Sequence, residues 1–424
     1  MRFDTLAAWL DWQATLHPKA IDMGLDRVRQ VWQALGDRRF DCPILTIAGT
    51  NGKGSSVAFA EAILQAGGYR TGCYTSPHLV RYNERIRIDQ REVDDAALCR
   101  AFDAIDHARG DIALTYFEFG TLAALLLFAD AGLDALVLEV GLGGRLDAVN
   151  LIDPSVALIT SIGLDHQNWL GDDLEQIGAE KAGILRASRP AVYSGRDMPA
   201  SIAARAEALG AELKVAGVDY RVAQRAEGWE LISPEQVRRA LPMPALRGPR
   251  QVENAAGVLV ALDTLSEVLP LDQRAVRIGL LSARLPGRFE VRPGQPTWVL
   301  DVAHNPQSAE VLDGLLGDVF VPGRRVAVFG ALNDKDVAGI AAAVAKRFDA
   351  WYLVDLSAQP RGLSATALVE ALGELVDESS CTTAGAPHDA FERAAAQAGS
   401  DGMVVVFGSF LTVGAATEWL DRSH

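Results

Sequence analysis

A chain of 424 residues, 49% hydrophobic and 22% charged, is too long for one ordinary core and has the composition of a globular protein of two domains. A formal charge of −15 excludes broad nucleic-acid binding, which depends on basic surface, and leaves anionic substrates to be held by local groups against the overall field. The cysteines Cys42, Cys73, Cys99 and Cys381 form no Cys-x-x-Cys pair, so neither a zinc site nor a disulfide framework is signalled and a reducing cytoplasm is the expected setting.

Asp4 and Asp11 interrupt the N-terminal apolar residues, and the run over 122–129 closes at Asp130, well short of the roughly 20 residues a membrane span needs. A soluble, unexported protein is expected. Short apolar runs over 44–48, 135–140, 156–162 and 191–194 then alternate with helix-length segments such as 55–65 and 117–131. Such runs read as buried parallel strands joined by crossover helices, so a doubly wound, mostly parallel α/β sheet is predicted from 43 to about 195. A hairpin around Glu227-Gly228 follows over 220–232, then helices over 252–265 and 273–281. Strands return at 298–302, 325–329, 351–354 and 403–407 among alanine-rich helical segments, which predicts a second, smaller, Rossmann-like α/β domain. Proline and glycine in Leu285-Pro286-Gly287-Arg288 and Pro293-Gly294-Gln295-Pro296 mark the join: a first domain over 1–288, a linker over 289–296 and a second domain over 297–424.

The first strand leads into Gly49-Thr50-Asn51-Gly52-Lys53-Gly54-Ser55-Ser56, giving strand, glycine-rich turn and helix start in the order a phosphate loop requires. Glycines let backbone N–H groups curl around phosphate oxygens, Lys53 brings a positive charge to the outer phosphates, and Ser55 or Ser56 can face Mg2+. The spelling departs from the common Gly-x-x-x-x-Gly-Lys-Ser/Thr through the inserted Gly54 and a shorter front, and a tight turn with an exposed lysine is the plainer alternative. In Thr75-Ser76-Pro77-His78-Leu79, Ser76 either ligates Mg2+ or starts a Ser-Pro turn. Thr115-Tyr116-Phe117-Glu118-Phe119 opens a helix whose aromatic cluster either packs in the core or meets a flat heteroaromatic ring.

Glu139 ends an apolar strand before Gly141-Leu142-Gly143-Gly144-Arg145-Leu146-Asp147. Ligands of open α/β sheets gather beyond the carboxyl ends of strands, so a Mg2+-ligating role competes there with capping of the next turn. Gly163-Leu164-Asp165-His166 sets His166 at the same edge, as a second metal ligand or a structural hydrogen-bonding group. Lys181, in Glu180-Lys181-Ala182-Gly183-Ile184, reads as a surface lysine. In the second domain, Asp301-Val302-Ala303-His304-Asn305-Pro306 again ends a strand with polar groups. Asn305 as N-cap with Pro306 at the first helical position would fix the loop that presents Asp301 and His304, and with Arg288 in the linker these are placed to reach a nucleotide between the domains.

In order and spacing these motifs resemble the folylpolyglutamate synthase family, including bifunctional bacterial members that also act as dihydrofolate synthases. The resemblance covers nearly the whole chain; beyond the segments above it is carried by Asp-His-Gln at 165–167 and Pro-Gly-Arg-Phe-Glu at 286–290. It implies an ATP-dependent ligase: ATP phosphorylates a substrate carboxylate, and the amine of L-glutamate displaces phosphate to leave ADP and an amide. On that model Gly49, Thr50, Asn51, Gly52, Lys53, Gly54 and Ser55 hold the ATP phosphates, and Gln251, Asn254, Arg288, Asp301 and His304 surround the nucleotide. Ser76 and Glu139 hold one Mg2+, His166 helps hold a second, and Lys53, His166 and Lys181 form the catalytic group, with Lys181 carbamylated. Leu25, Asp26, Arg27, Phe117, Asp147 and Asn150 approach the pteroate. The loop Ile21-Asp22-Met23-Gly24-Leu25-Asp26-Arg27-Val28 resembles that of the bifunctional enzymes, which implies glutamate addition both to dihydropteroate and to reduced folates such as tetrahydrofolate.

The implied cofactors are two Mg2+, with room for a monovalent cation, and the implied partners are ATP, L-glutamate and the folate-type acceptor, bound by a cytoplasmic monomer that uses neither nucleic acid nor membrane. Cell-wall Mur ligases share the phosphate loop and acyl-phosphate chemistry but carry a further N-terminal domain, and the chain before Gly49 falls short of a domain of about 100 residues. A nucleotide-driven switch protein would leave the second α/β domain, with Asp301 and His304, unexplained.

Overall fold

The computed structural model describes residues 1–19, 21–225 and 227–423, of which Glu374, Glu378 and Ser423 are described by backbone alone. Two compact units emerge. Met1–His78, Tyr82–Ala245 and Arg250–Arg284 form the first; Leu79–Arg81, Leu246–Pro249 and the chain from Leu285 onward form the second. Among the described residues no helix is long and apolar enough to cross a membrane.

The first unit is built on eight strands: β1 (Ile44–Ala48), β2 (Thr71–Tyr74), β3 (Ile86–Ile88), β4 (Arg91–Glu92), β5 (Ala135–Glu139), β6 (Val156–Ile159), β7 (Pro190–Tyr193) and β8 (Glu212–Val215). Their order is β4-β3-β2-β5-β1-β6-β7-β8. The sheet is parallel from β2 across to β8, and β3 and β4 continue it antiparallel at one edge. Every residue of β1 and β5 is buried, because helices cover both faces and neither strand needs a polar side. The register fixes where the chain emerges. Ile47 lies opposite Glu139, Ala48 opposite Ile159 and Tyr74 opposite Leu138, so the loops after β1, β2, β5 and β6 leave one edge of the sheet at nearly one level.

β6 stops at Ile159, three residues before the predicted end at 162, because Thr160 and Ser161 turn to bond the loop after β1. The expected hairpin is present as β9 (Arg221–Arg225) and β10 (Gly228–Ile232), and a third strand, β11 (Val237–Leu241), pairs with β10. Its sequence, Val-Arg-Arg-Ala-Leu, carries no apolar run; its buried Arg238 is held instead by Asp263 at 2.5 Å.

The second unit has a six-stranded sheet of β12 (Glu290–Arg292), β13 (Thr297–Leu300), β14 (Arg325–Phe329), β15 (Ala350–Val354), β16 (Cys381–Ala384) and β17 (Met403–Phe407), ordered β12-β13-β17-β14-β15-β16. It is parallel except for β12, which runs antiparallel to β13. β12 falls inside the segment expected as a linker over 289–296: Glu290, Val291 and Arg292 pair with Leu300, Val299 and Trp298, so this stretch folds as an edge strand, and Arg288 belongs to the second unit. Side chains alternate cleanly. Ala327, Phe329, Trp351, Leu353, Val405 and Phe407 face the helices Pro306–Gly317 and Val337–Val344, while Val326, Val328, Tyr352, Val354, Val404 and Val406 face the helix Pro387–Ala398.

Candidate active site

The loop after β1 is held by backbone and by its neighbours in the segment that follows β6. The helix Lys53–Ala66 begins at Lys53, two residues before the predicted start, with left-handed Gly52 as N-cap and no side-chain cap, so its positive end is presented to an anion. Thr50 N–H donates to the Ser161 carbonyl at 2.8 Å, and Thr160 Oγ1 donates to the Asn51 carbonyl at 2.7 Å. Two glycines are required by contact: a Cβ on Gly49 would come within 1.7 Å of Thr160 Oγ1, and one on Gly52, where φ is +94°, within 2.6 Å of Asn254 Oδ1. The second contact brings Asn254 against the loop, its amide donating to Gln251 Oε1 at 3.3 Å. Lys53 folds back so that Nζ donates to the Gly49 and Thr50 carbonyls at 2.9 and 3.2 Å. Ser55 and Ser56 are both buried in the first turn of the helix.

The surface reading of Lys181 is overturned. It is 4% exposed, and its Nζ donates to the same Gly49 carbonyl at 3.0 Å. Burial drives its pKa down to about 7 and the Lys53 charge pushes the same way, while Asp165 and Asp147 pull it back up. At neutral pH Lys181 therefore presents a substantial fraction of nucleophilic amine. Glu139, buried at the end of β5, accepts from Ser76 N–H at 3.3 Å because β2 and β5 are paired. His166 is not at a strand end. It sits on a loop in the left-handed conformation, φ +53°, ahead of the short helix Gln167–Leu170, and its N–H donates to Asp165 Oδ1 at 2.8 Å. Gly163 on that loop is tied to Thr50 Oγ1 at 3.0 Å. Among the described residues no group of three or more His, Cys, Asp or Glu could hold a metal by itself.

A second wall forms where three segments meet. Gly24 N–H donates to the Leu146 carbonyl at 3.2 Å, joining the N-terminal loop to the glycine-rich loop after β5. The Phe117 ring fills the space that a side chain on Gly141 would take, 2.5 Å from its Cβ position. Asp147 accepts from Leu142 and Val149 N–H at 2.8 and 2.9 Å; burial raises its pKa to about 6 against the pull of these amides and of Lys53. Arg27 spans the junction, donating to Asp22 Oδ2 at 2.6 Å and to Glu118 Oε1 at 3.1 Å. Leu25 is half-buried beside it. The remaining two residues expected here do not face the wall in the same way. Asp26 has a side chain 94% exposed, 3.6 Å from Arg29. Asn150 donates to the Arg145 and Gly183 carbonyls at 3.0 and 3.1 Å and accepts from Arg186 at 2.9 Å, so its amide braces the loop.

In the second unit, Arg288 and His304 lie near Phe410, and Asp301 feels the charges of both. The Arg288 guanidinium lies 6.0 Å from the Phe410 ring and the His304 ring 5.9 Å from it. His304 Nδ1 donates to the Val302 carbonyl at 2.8 Å. Buried Asp301 accepts from Phe289 and Ala303 N–H, each at 2.8 Å; burial raises its pKa while Arg288 pulls it down. Asn305 caps the helix Pro306–Gly317 by accepting from Ser308 N–H, with Pro306 in the first turn as expected.

Sequence reasoning missed Thr160, Asp165, Glu118 and Phe410, each of which fixes one of these groups. Two left a signal: Asp165 stands in the Asp-His-Gln motif at 165–167, and Thr115 and Glu118 have the spacing of a capping box, which the structure forms.

Two family models match: the Mur ligase middle domain over residues 47–261 and the Mur ligase, glutamate ligase domain over 287–410. The dihydrofolate synthase/folylpolyglutamate synthase of Escherichia coli (strain K12) is 44% identical over 98% of this chain and 96% of that protein. A solved structure of Escherichia coli FolC in complex with DHPP and ADP superposes with a TM-score of 0.92 at 43% identity, over 99% of this chain and 98% of that one. A bifunctional folylpolyglutamate synthase/dihydrofolate synthase with Mn, AMPPNP and L-glutamate bound gives a TM-score of 0.90 at 46% identity, again over 99% and 98%. The chain belongs to the dihydrofolate synthase/folylpolyglutamate synthase family of Mur-type, ATP-dependent ligases.

Proposed function

We propose that this enzyme adds L-glutamate to dihydropteroate and to reduced folates, activating the acceptor carboxylate with ATP. One observation carries the reading. The exit of β5 supplies both Glu139, beside Ser76 and the phosphate loop, and Asp147, which shapes the wall against Phe117. A carboxylate at the end of a molecule on that wall is thereby directed toward the transferable phosphate. The acceptor carboxylate oxygen attacks the γ-phosphorus and ADP leaves; the neutral amine of glutamate then attacks the acyl carbon, phosphate leaves, and the amine loses its proton.

The loop 49–55 and the helix end cradle the phosphates, and Lys53 swings from the Gly49 carbonyl to the transferring phosphoryl oxygens. The family resemblance gives Asn254, Arg288, Asp301 and His304 a nucleotide-binding role. Ser76, Glu139 and His166, hard oxygens with one imidazole, are the residues that would hold two Mg2+, whose chemistry there would be to offset charge on the ATP phosphates. The low pKa of Lys181 fits carbamylation by CO2, which would replace a cation with an anion facing Lys53. Leu25, Arg27, Phe117 and Asp147 form the pteroate wall, with Arg27 as a strut between loop and helix and Asn150 as a brace behind it. A net charge of −15 fits work on small molecules rather than nucleic acid, and four cysteines without a disulfide fit a cytoplasmic setting.

Phosphate release from ATP and Mg2+ by the purified protein should require L-glutamate together with dihydropteroate or tetrahydrofolate. Release without an acceptor would overturn the ligase reading. Turnover with tetrahydrofolate alone would reduce the enzyme to a single activity.

A further inference from the structure

Arg85 and Arg87 lie two residues apart and are provided for very differently. The Arg87 guanidinium is paired with Glu61, its Nε and Nη2 reaching the carboxylate at 3.1 and 2.7 Å. Arg85 is 8% exposed and has no such partner. Its Nε donates to His78 Nδ1 at 2.8 Å, its guanidinium carbon lies 5.3 Å from the Tyr82 ring and 5.7 Å from the Tyr116 ring, and among the described residues no carboxylate stands within ion-pair distance. A guanidinium has five N–H donors, so one is used here and the terminal ones have no protein acceptor. Burying a cation this way is costly unless a counter-charge arrives.

The position says which. The Arg85 carbonyl accepts from Thr75 N–H at 2.9 Å, fastening Arg85 beside the loop that carries Ser76. Tyr116 precedes Phe117, and Tyr74, whose hydroxyl feels both the Arg85 and Asp147 charges, lies against the Phe117 ring at 5.9 Å. Arg85 therefore stands between the loop that handles phosphate and the wall assigned to the pteroate.

We infer that Arg85 receives the non-reacting carboxylate of a folate's glutamyl tail, an assignment that rests on the folate reading above. Dihydropteroate has one carboxylate, the one that is activated. A folate ending in glutamate has two; one is activated, and the other enters the site as a spare anion. A planar guanidinium with free edge donors takes a carboxylate through two parallel N–H···O bonds, and Tyr82 and Tyr116 hold its plane. Arg85 is thus a specificity residue for the second activity and dispensable for the first.

The test compares wild type, Arg85→Met and Arg85→Lys on both acceptors. Arg85→Met should raise KM for tetrahydrofolate on the order of 30-fold, the usual consequence of truncating one side of a buried charged pair. Its kcat/KM for dihydropteroate should stay within about threefold of wild type, and Arg85→Lys, which keeps the charge but not the fork, should fall between. Tm should not drop, because a buried charge without a partner is removed. Equal losses on both acceptors, or a lower Tm with an unchanged acceptor ratio, would overturn the assignment. Wild type inactive on tetrahydrofolate would instead indict the folate reading itself.

Discussion

The phosphate loop and the wall proposed for the pteroate share one edge of the first sheet but are made differently. The loop is one continuous segment shaped by backbone: its glycines are set by contacts of 1.7 and 2.6 Å, its carbonyls bind Lys53 and Lys181, and the Thr50 amide and hydroxyl tie it to the segment after β6. The wall is assembled from residues 21–28, the helix start at 115–118 and the loop 141–150, joined by single hydrogen bonds such as Gly24 to Leu146 and Arg27 to Glu118. A backbone site tolerates almost no change in any one residue. A site assembled from side chains distributes its task, so single substitutions should cost less and should touch one substrate only.

Lys53→Ala is the sharpest way to break this contrast. Removing the charge proposed to meet the transferring phosphoryl group should lower kcat/KM for every acceptor by roughly a hundredfold to a thousandfold or more, with Tm little changed because Lys53 is only partly buried. Retained turnover would take the loop out of the chemistry. Next comes Lys181. With a pKa of about 7, its amine is mostly protonated at pH 6 and mostly neutral at pH 8, and only the neutral form attacks CO2. Enzyme stripped of CO2 should lose activity and regain it when the same concentration of dissolved CO2 is supplied at each pH, roughly tenfold faster at pH 8 than at pH 6 if the neutral amine is the reactant. Equal reactivation rates at the two pH values would exclude the carbamate. On the wall, Phe117→Ala removes one packed ring and should raise KM for dihydropteroate about tenfold while leaving KM for ATP unchanged. A comparable rise for ATP would mean that the two regions are not separate.

The same contrast explains what was legible. Gly49 to Ser55 could be read because strand, turn and helix start are consecutive, and the apolar strands β1, β5, β14 and β17 could be read because both their faces are buried. β11 could not, since Val-Arg-Arg-Ala-Leu shows buried Arg238 as a surface residue until Asp263 is placed beside it. The linker over 289–296 was read from its prolines, but β12 depends on pairing with β13, which local composition does not encode. Lys181 resembled any helical lysine, because its burial is created by the Gly49 carbonyl 132 residues away in sequence. Arg85 left no trace at all, because nothing local in sequence distinguishes it from Arg87, whose partner Glu61 comes from a distant helix while Arg85 donates to His78.

The smallest effect is expected at Asp26, and it tests the wall most directly. Resemblance places Asp26 among the pteroate contacts, yet its side chain is 94% exposed and lies 3.6 Å from Arg29 one turn along the helix. An exposed pair of this kind contributes about 0–1 kcal/mol, and Asp26 adds only a favourable first-turn charge at the start of Asp26–Ala34. If the wall is already formed in the free chain, Asp26→Ala should leave KM for dihydropteroate, KM for tetrahydrofolate and Tm essentially unchanged. A rise in KM for dihydropteroate alone would mean that residues 21–28 turn inward when substrate arrives. The Asp22–Arg27–Glu118 link would then act as the hinge of a closing loop, and the wall would differ from the phosphate loop in motion as well as in construction.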